Sequence, residues 1–214
     1  MRFNAFIWDF DGTLADTYPR MTHAYQTALT KHGISAGYDD LLSRIKRSAR
    51  AAAAHYSTAA HTDAETLIAE MITAERRVEG GMDLYPGAYS VCRAIAQNGG
   101  RNFLYTHRNI GAVEALRTYN ALDFFTDCVT EEDHFPHKPA PDAICHLLEK
   151  HNINQSDAIM IGDRDIDLEA GHNAGISGCL FDPDGFYDEL AADFRVKALE
   201  EMVSLFDIFT HGTY

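Results

Sequence analysis

The stretch FIWDFDGTLADT, residues 6–17, decides how the rest of the chain is read. A short apolar run, Phe6, Ile7 and Trp8, breaks off at Asp9, and Asp11 follows with Gly12 behind it. An Asp-Gly pair after a hydrophobic run is a common turn signal, because glycine accepts positive φ and aspartate bonds its own backbone. A turn alone does not explain why two carboxylates are set close enough to repel. A calcium loop would present alternating acids to a hard cation, but it places its glycine sixth and an acid twelfth. Counted from Asp9, Gly12 is fourth and the twelfth residue is Arg20, which excludes that reading.

Composition narrows the choices. A chain of 214 residues can bury a sizeable core as one domain, or as one domain with a smaller insert. Its 18 basic and 32 acidic residues give a net charge of −14, which disfavours a bare phosphate backbone and hence nucleic acid as partner. No apolar stretch approaches the roughly 18–20 residues that span a bilayer. The opening MRFNAFIW reaches Asp9 before a signal-peptide core could form, so a cytoplasmic protein without a membrane partner is expected. Cys92, Cys128, Cys145 and Cys179 have neither zinc nor redox spacing, and buried free thiols are expected.

Strand-like and helix-like segments alternate along the chain. The strand candidates are Phe3–Phe10, Asn102–His107, Asp127–Thr130, Ala158–Gly162 and Gly178–Phe181, several of them continuous apolar runs as buried parallel strands require. Between them, Val113, Leu116 and Tyr119, and then Ile144, Leu147 and Leu148 after Pro139 and Pro141, have helical spacing. This rhythm predicts an α/β fold with a doubly wound, mostly parallel sheet. One interval breaks it. From Asp16 to Gly81 no strand is apparent, while Met21, Ala24, Tyr25, Ala28 and Leu29 fall on one helical face, followed by RSARAAAAHYSTAAH and DAETLIAEMITAERRVEGG. A crossover needs far fewer residues, so the chain divides into a core of residues 1–15 and 82–214 and a small α-helical cap of residues 16–81.

Ligands of open α/β sheets bind at the carboxyl ends of strands, so the strand ends carry the functional reading. The first ends in Asp9, Phe10 and Asp11, and the second in YTHR with Thr106, His107 and Arg108. HKPAPDA brings Lys138 before the fourth, and AIMIGDRDIDLEAG carries the fourth into Asp163, Asp165 and Asp167. Acids, a hydroxyl and a lysine are thus expected on one edge.

The segments DFDGTLADT, YTHR, Lys138 in HKPAPDA, and GDRDID match, in order, four motifs of the haloacid dehalogenase (HAD) superfamily. The chain resembles its phosphoglycolate phosphatase and β-phosphoglucomutase branch, in which a helical cap is inserted just after the first motif. The segment ADFRVKALEEM is similar to the closing strand and helix of that family. The resemblance implies a Rossmann-like core and Mg²⁺ as cofactor, and two neighbouring carboxylates are tolerable when a hard cation lies between them. It also implies that Asp9 is nucleophile and metal ligand, attacking phosphorus to give an aspartyl-phosphate. Asp11 would offer its backbone carbonyl to the metal and its side chain as acid and base. By the same resemblance Thr106 and Lys138 would stabilise the phosphoryl group, Asp163 would be the remaining metal ligand, and Asp167 would orient the metal site. Phe10, Gly12 and Thr13 would surround the nucleophile, with His107 and Arg108 beside the substrate. Asp165 reads as an exposed acid at a helix start.

Two residues depart from the pattern: His107 stands where asparagine is common, and Arg164 where a small hydroxyl residue is usual. Specificity is expected from the cap, where RIKRSAR supplies Arg44, Lys46, Arg47, Ser48 and Arg50, with Lys46, Arg47 and Arg50 the expected substrate contacts. The expected activity is Mg²⁺-dependent hydrolysis of a small phosphorylated metabolite. A sugar phosphomutase shares every core residue and is the alternative, and a non-catalytic phosphometabolite-binding module is the alternative from another class. Dehalogenase relatives lack a second acid such as Asp11, and phosphonatases need a cap lysine that forms a Schiff base, for which Lys46 is only a weak candidate.

Overall fold

A computed structural model describes residues 1–78 and 81–209. Six parallel strands form one sheet in the order β3-β2-β1-β4-β5-β6, with β1 Ala5–Trp8, β2 Arg101–Tyr105, β3 Phe125–Val129, β4 Ala158–Gly162, β5 Ser177–Phe181 and β6 Phe194–Val196. Every residue of β1 and β4 is buried, which explains their uninterrupted apolar sequences. The strand expected over Phe3–Phe10 pairs only over Ala5–Trp8, although one further bond, from Asp9 N–H to the Ile161 carbonyl at 2.9 Å, still ties Asp9 to the sheet. Strand order reverses at β1, which lies between β2 and β4, and this is the switch point where doubly wound sheets bind ligands.

The chain forms two compact units, one of Met1–Ala15 with the chain from Leu84 onward, the other of Asp16–Asp83. In the first, Ile7, Phe103, Ile144, Leu147, Met160 and Ile176 belong to one buried cluster. Elsewhere in this unit, Phe206 meets Phe3 and Phe194 edge to face at 5.4 and 5.2 Å. Its helices are α5 Ala88–Gln97, α6 Gly111–Thr118, α7 Asp142–Lys150, α8 Asp165–Asn173 and α9 Glu201–Leu205. The second unit contains α1 Tyr18–Lys31, α2 Tyr38–Arg47, α3 Ala49–Ser57 and α4 Ala64–Glu75 around a core that includes Tyr25, Leu29, Leu41, Ile45, Leu67 and Met71. Arg20 of α1 donates to the Glu75 carbonyl of α4 at 2.7 Å. The quoted run 63–81 includes Glu79 and Gly80, which lie outside the described residues.

RIKRSAR is not one helix face. Ser48 is extended, with φ −170° and ψ 119°, and its hydroxyl caps α3 by accepting from Ala51 N–H at 3.1 Å, so Arg44, Lys46 and Arg47 end α2 while Arg50 begins α3. All four cysteines are free, but only Cys92 and Cys179 are buried. Cys145 is exposed on α7, a correction that follows from its lying off the face that buries Ile144, Leu147 and Leu148.

Asn102 is a buried polar residue that periodicity does not explain. Its Oδ1 accepts from Trp8 Nε1 at 3.0 Å, and its Nδ2 donates to the carbonyls of Cys92 at 2.8 Å and Phe124 at 3.1 Å, joining β1, α5 and the turn before β3. Asn102→Ala leaves the Trp8 donor unmatched. It is expected to cost about 2–4 kcal/mol, measured by urea unfolding through the fluorescence of the chain's single tryptophan. A loss within measurement error would mean that water or rearrangement replaces these bonds.

Candidate active site

Four buried charged groups meet where β1 and β4 end. Asp9 follows β1, Asp163 follows β4, Asp167 lies in the first turn of α8, and Lys138 is on the loop that leads to α7. Lys138 Nζ lies 2.5 Å from Asp9 Oδ1 and 2.8 Å from Asp167 Oδ1. It also sits 4.6 Å from the Tyr105 ring centroid. Burial drives the Asp9 carboxyl above the ordinary carboxylate range, against the pull of Lys138 in the other direction. Burial would lower the Lys138 ammonium, but Asp167 and Asp9 outweigh it and hold Lys138 above its usual value.

The carboxylates of Asp9, Asp163 and Asp167 each place an oxygen within 4.8 Å of the others. Three buried carboxylates beside one ammonium leave negative charge in excess, and a donor set made only of oxygen suits a hard divalent cation. Asp167 is braced on both oxygens, since its Oδ2 also accepts from Arg164 N–H at 3.1 Å. Gly162 makes that approach possible: a Cβ there would overlap the side chain of Asp167. The Gly-Asp pair closing β4 is the sequence signal for this glycine.

The loop after β1 folds tightly. The Phe10 carbonyl accepts from the N–H groups of Leu14 at 3.0 Å and Ala15 at 2.9 Å, and Gly12 takes φ +82°. Thr13 is buried, and its hydroxyl has no hydrogen-bond partner among the described residues. This turn brings Asp11, which is not one of the three grouped carboxylates, onto Arg108, whose Nη2 is 2.7 Å from Asp11 Oδ1. Thr106 is buried and accepts from Arg108 N–H at 3.0 Å, while its own N–H donates to the Val129 carbonyl. Asp165 begins α8 half-buried and accepts from Ile166 N–H at 2.9 Å.

His107 takes a position that its residue type does not reveal. Its Nε2 accepts from the backbone N–H of Lys138 at 2.9 Å, so the ring is neutral with its proton on Nδ1, and it stacks on His137 with centroids 4.3 Å apart. The first unit thus holds two bonded groups, Asp9, His107, Lys138 and Asp167 with Asp163 beside them, and Asp11 with Arg108 and Thr106. Lys46, Arg47 and Arg50 belong to the second unit. There Lys46 Nζ lies 5.6 Å from the Tyr18 ring centroid, Arg47 is exposed, and exposed Arg50 pairs with Glu65.

Burial, with Lys138 and His137 adding to it, pushes the His107 imidazole down to about 3. The unfolded chain takes up this proton near pH 6.5. The contribution of His107 to stability is therefore complete above that value and is lost as pH falls toward about 3. The stability difference between wild type and His107→Asn is expected to shrink on acidification, by at most about 1.4 kcal/mol per pH unit, in urea titrations run at a series of pH values. A difference independent of pH would mean that His107 is not held neutral.

The sequence model of the haloacid dehalogenase-like hydrolases matches residues 6–181. The chain is 28% identical over 182 residues to the pyrophosphatase PpaX of Bacillus cereus (strain G9842), covering 82% of this chain and 81% of that protein. It is likewise 28% identical over 182 residues to the phosphoglycolate phosphatase of Vibrio vulnificus (strain YJ016), covering 78% of each. Among solved structures, the HAD-hydrolase YfnB of Bacillus subtilis bound to magnesium superposes with a TM-score of 0.77 at 18% identity, over 97% of this chain and 100% of that one. With a family match that runs from β1 through β5, the chain belongs to the haloacid dehalogenase-like hydrolases.

Proposed function

We propose that this hydrolase removes the phosphoryl group from a small phosphorylated metabolite through an aspartyl-phosphate on Asp9, with Mg²⁺ as cofactor. The observation that carries the reading is the buried Lys138 ammonium bridging Asp9 and Asp167 beside Asp163, at the switch point of the sheet. Asp9, Asp163 and the carbonyl of Asp11 would hold the ion, with Asp167 orienting the site. Bound there, the ion supplies positive charge against the negative charge of the phosphoryl oxygens.

The side chains divide the remaining work. An Asp9 oxygen attacks phosphorus, and the ester oxygen departs with a proton from Asp11. Water then yields a proton to Asp11 and attacks the same phosphorus, which releases inorganic phosphate and frees Asp9. Lys138 neutralises charge on the phosphoryl oxygens, as such transfers require. Thr106 already accepts from Arg108 N–H, so its own O–H proton is available to a phosphoryl oxygen. Relatives named for pyrophosphate and for phosphoglycolate support a phosphoryl substrate while leaving its other half open.

The unit of Asp16–Asp83 is proposed as the cap, with Lys46, Arg47 and Arg50 meeting the non-reacting end of the substrate. Free phosphate released across a panel of phosphorylated metabolites and pyrophosphate, with Mg²⁺ present, is the direct test. Asp9→Asn is expected to abolish release while retaining wild-type circular dichroism and a cooperative melt. Isomer formation without phosphate release would indicate a mutase, and absence of turnover on every ester in the panel would favour a binding module.

The cap is tested separately. Alanine at Lys46, Arg47 or Arg50 is expected to lower kcat/KM for the best metabolite by roughly tenfold or more, and for p-nitrophenyl phosphate by less than about threefold. Equal, small effects on both substrates would return these cations to the solvated surface.

A further inference from the structure

Arg108 grips Asp11 with two nitrogens. Its Nε donates to Asp11 Oδ1 at 2.9 Å and Oδ2 at 3.1 Å, and its Nη2 lies 2.7 Å from Oδ1. Both side chains are mostly shielded, at 15% and 25% exposure, so solvent screens this pair less than a surface pair. The arginine backbone is itself pinned: its N–H donates to Thr106 Oγ1 at 3.0 Å, and its carbonyl accepts from Glu131 N–H at 3.1 Å. The grip thus starts from a backbone fixed to β2 and the segment after β3, and ends on the tight turn after β1.

Asp11 needs such an anchor. It is two residues from Asp9 in a site where Asp9, Asp163 and Asp167 already crowd one ammonium. A fourth carboxylate near that cluster has two poor alternatives: to compete for Lys138, or to swing into solvent by repulsion. A planar guanidinium fork, which a lysine cannot reproduce, fixes both the place and the plane of the carboxylate.

We infer that Arg108 is a positioning residue that holds the Asp11 side chain, apart from the three-carboxylate cluster, where it handles the proton of the leaving oxygen. The inference rests on the hydrolytic reading above. It replaces a direct role for Arg108 on the substrate with an indirect one, because the guanidinium is already engaged by Asp11.

The test is a double-mutant cycle on kcat/KM with Mg²⁺ present, using an alkyl phosphomonoester and p-nitrophenyl phosphate. Arg108→Met should lower kcat/KM for the alkyl ester by roughly 10- to 100-fold, the scale of a misplaced catalytic group. It should lower that for p-nitrophenyl phosphate by less than about threefold, since that leaving group departs without a proton. In the Asp11→Asn background Arg108→Met should add no further loss. Arg108→Lys, which keeps the charge and is the second variant should the methionine not fold, should remain impaired on the alkyl ester. Additive losses, a matching rise in KM for both substrates, or full activity of Arg108→Lys would overturn the positioning role while leaving the acid role of Asp11 intact. An Asp11→Asn enzyme with wild-type rates on both esters would instead remove the acid role, and the inference with it.

Discussion

One ammonium between two carboxylates organises this molecule's functional end. Lys138 reaches from the loop before α7 to Asp9 after β1 and to Asp167 in α8, so a single buried cation ties three elements together. Burying an ion pair is costly, and it holds only when the remaining donors and acceptors are matched. Asp167 meets that condition through Arg164 N–H, and the absence of a side chain at Gly162 gives it room. Burial pushes the Asp9 carboxyl above the ordinary carboxylate range, so its charged form is costly and Lys138 offsets only part of that cost.

The sheet determines which residues can enter this arrangement. Its order reverses around β1, so the loops after β1, β2 and β4 open toward one another at the same edge. Short ladder extensions carry the sheet's rigidity into the site: Asp9 N–H bonds Ile161, and Thr106 N–H bonds Val129, each one residue beyond the regular strand. Groups so held keep their geometry without relying on loop side chains, which suits electrostatic stabilisation of a transferring phosphoryl group.

The two residues that follow Thr106 act on other parts of the site. His107 accepts the backbone N–H of Lys138, and Arg108 takes the carboxylate of Asp11. Residues that read as substrate contacts from their place in a motif thus also bond, in this structure, to the lysine loop and to the Asp11 carboxylate. In the second unit, Arg44 pairs with Asp40 and Arg50 with Glu65, so part of the basic run is balanced locally.

Much of the fold was legible because buried parallel strands must be apolar throughout. FIW, AIMIG and GCLF announce β1, β4 and β5, and the acids that follow the first two mark where the apolar strand gives way to a loop. Helical spacing likewise announced α1, α6 and α7. What the sequence by itself determined was therefore the kind of sheet, the presence of a helical insert, and which residue types stand at the strand ends. Tertiary structure alone decided the partners. That Asn102 would bond Trp8 and Cys92, that Ser48 would divide the basic run, and that His107 would hold Lys138 each depend on contacts between residues far apart in the chain or on a local cap. Periodicity records which face of an element is apolar. It carries no information about which polar groups, brought together from separate elements, will satisfy one another once water is excluded.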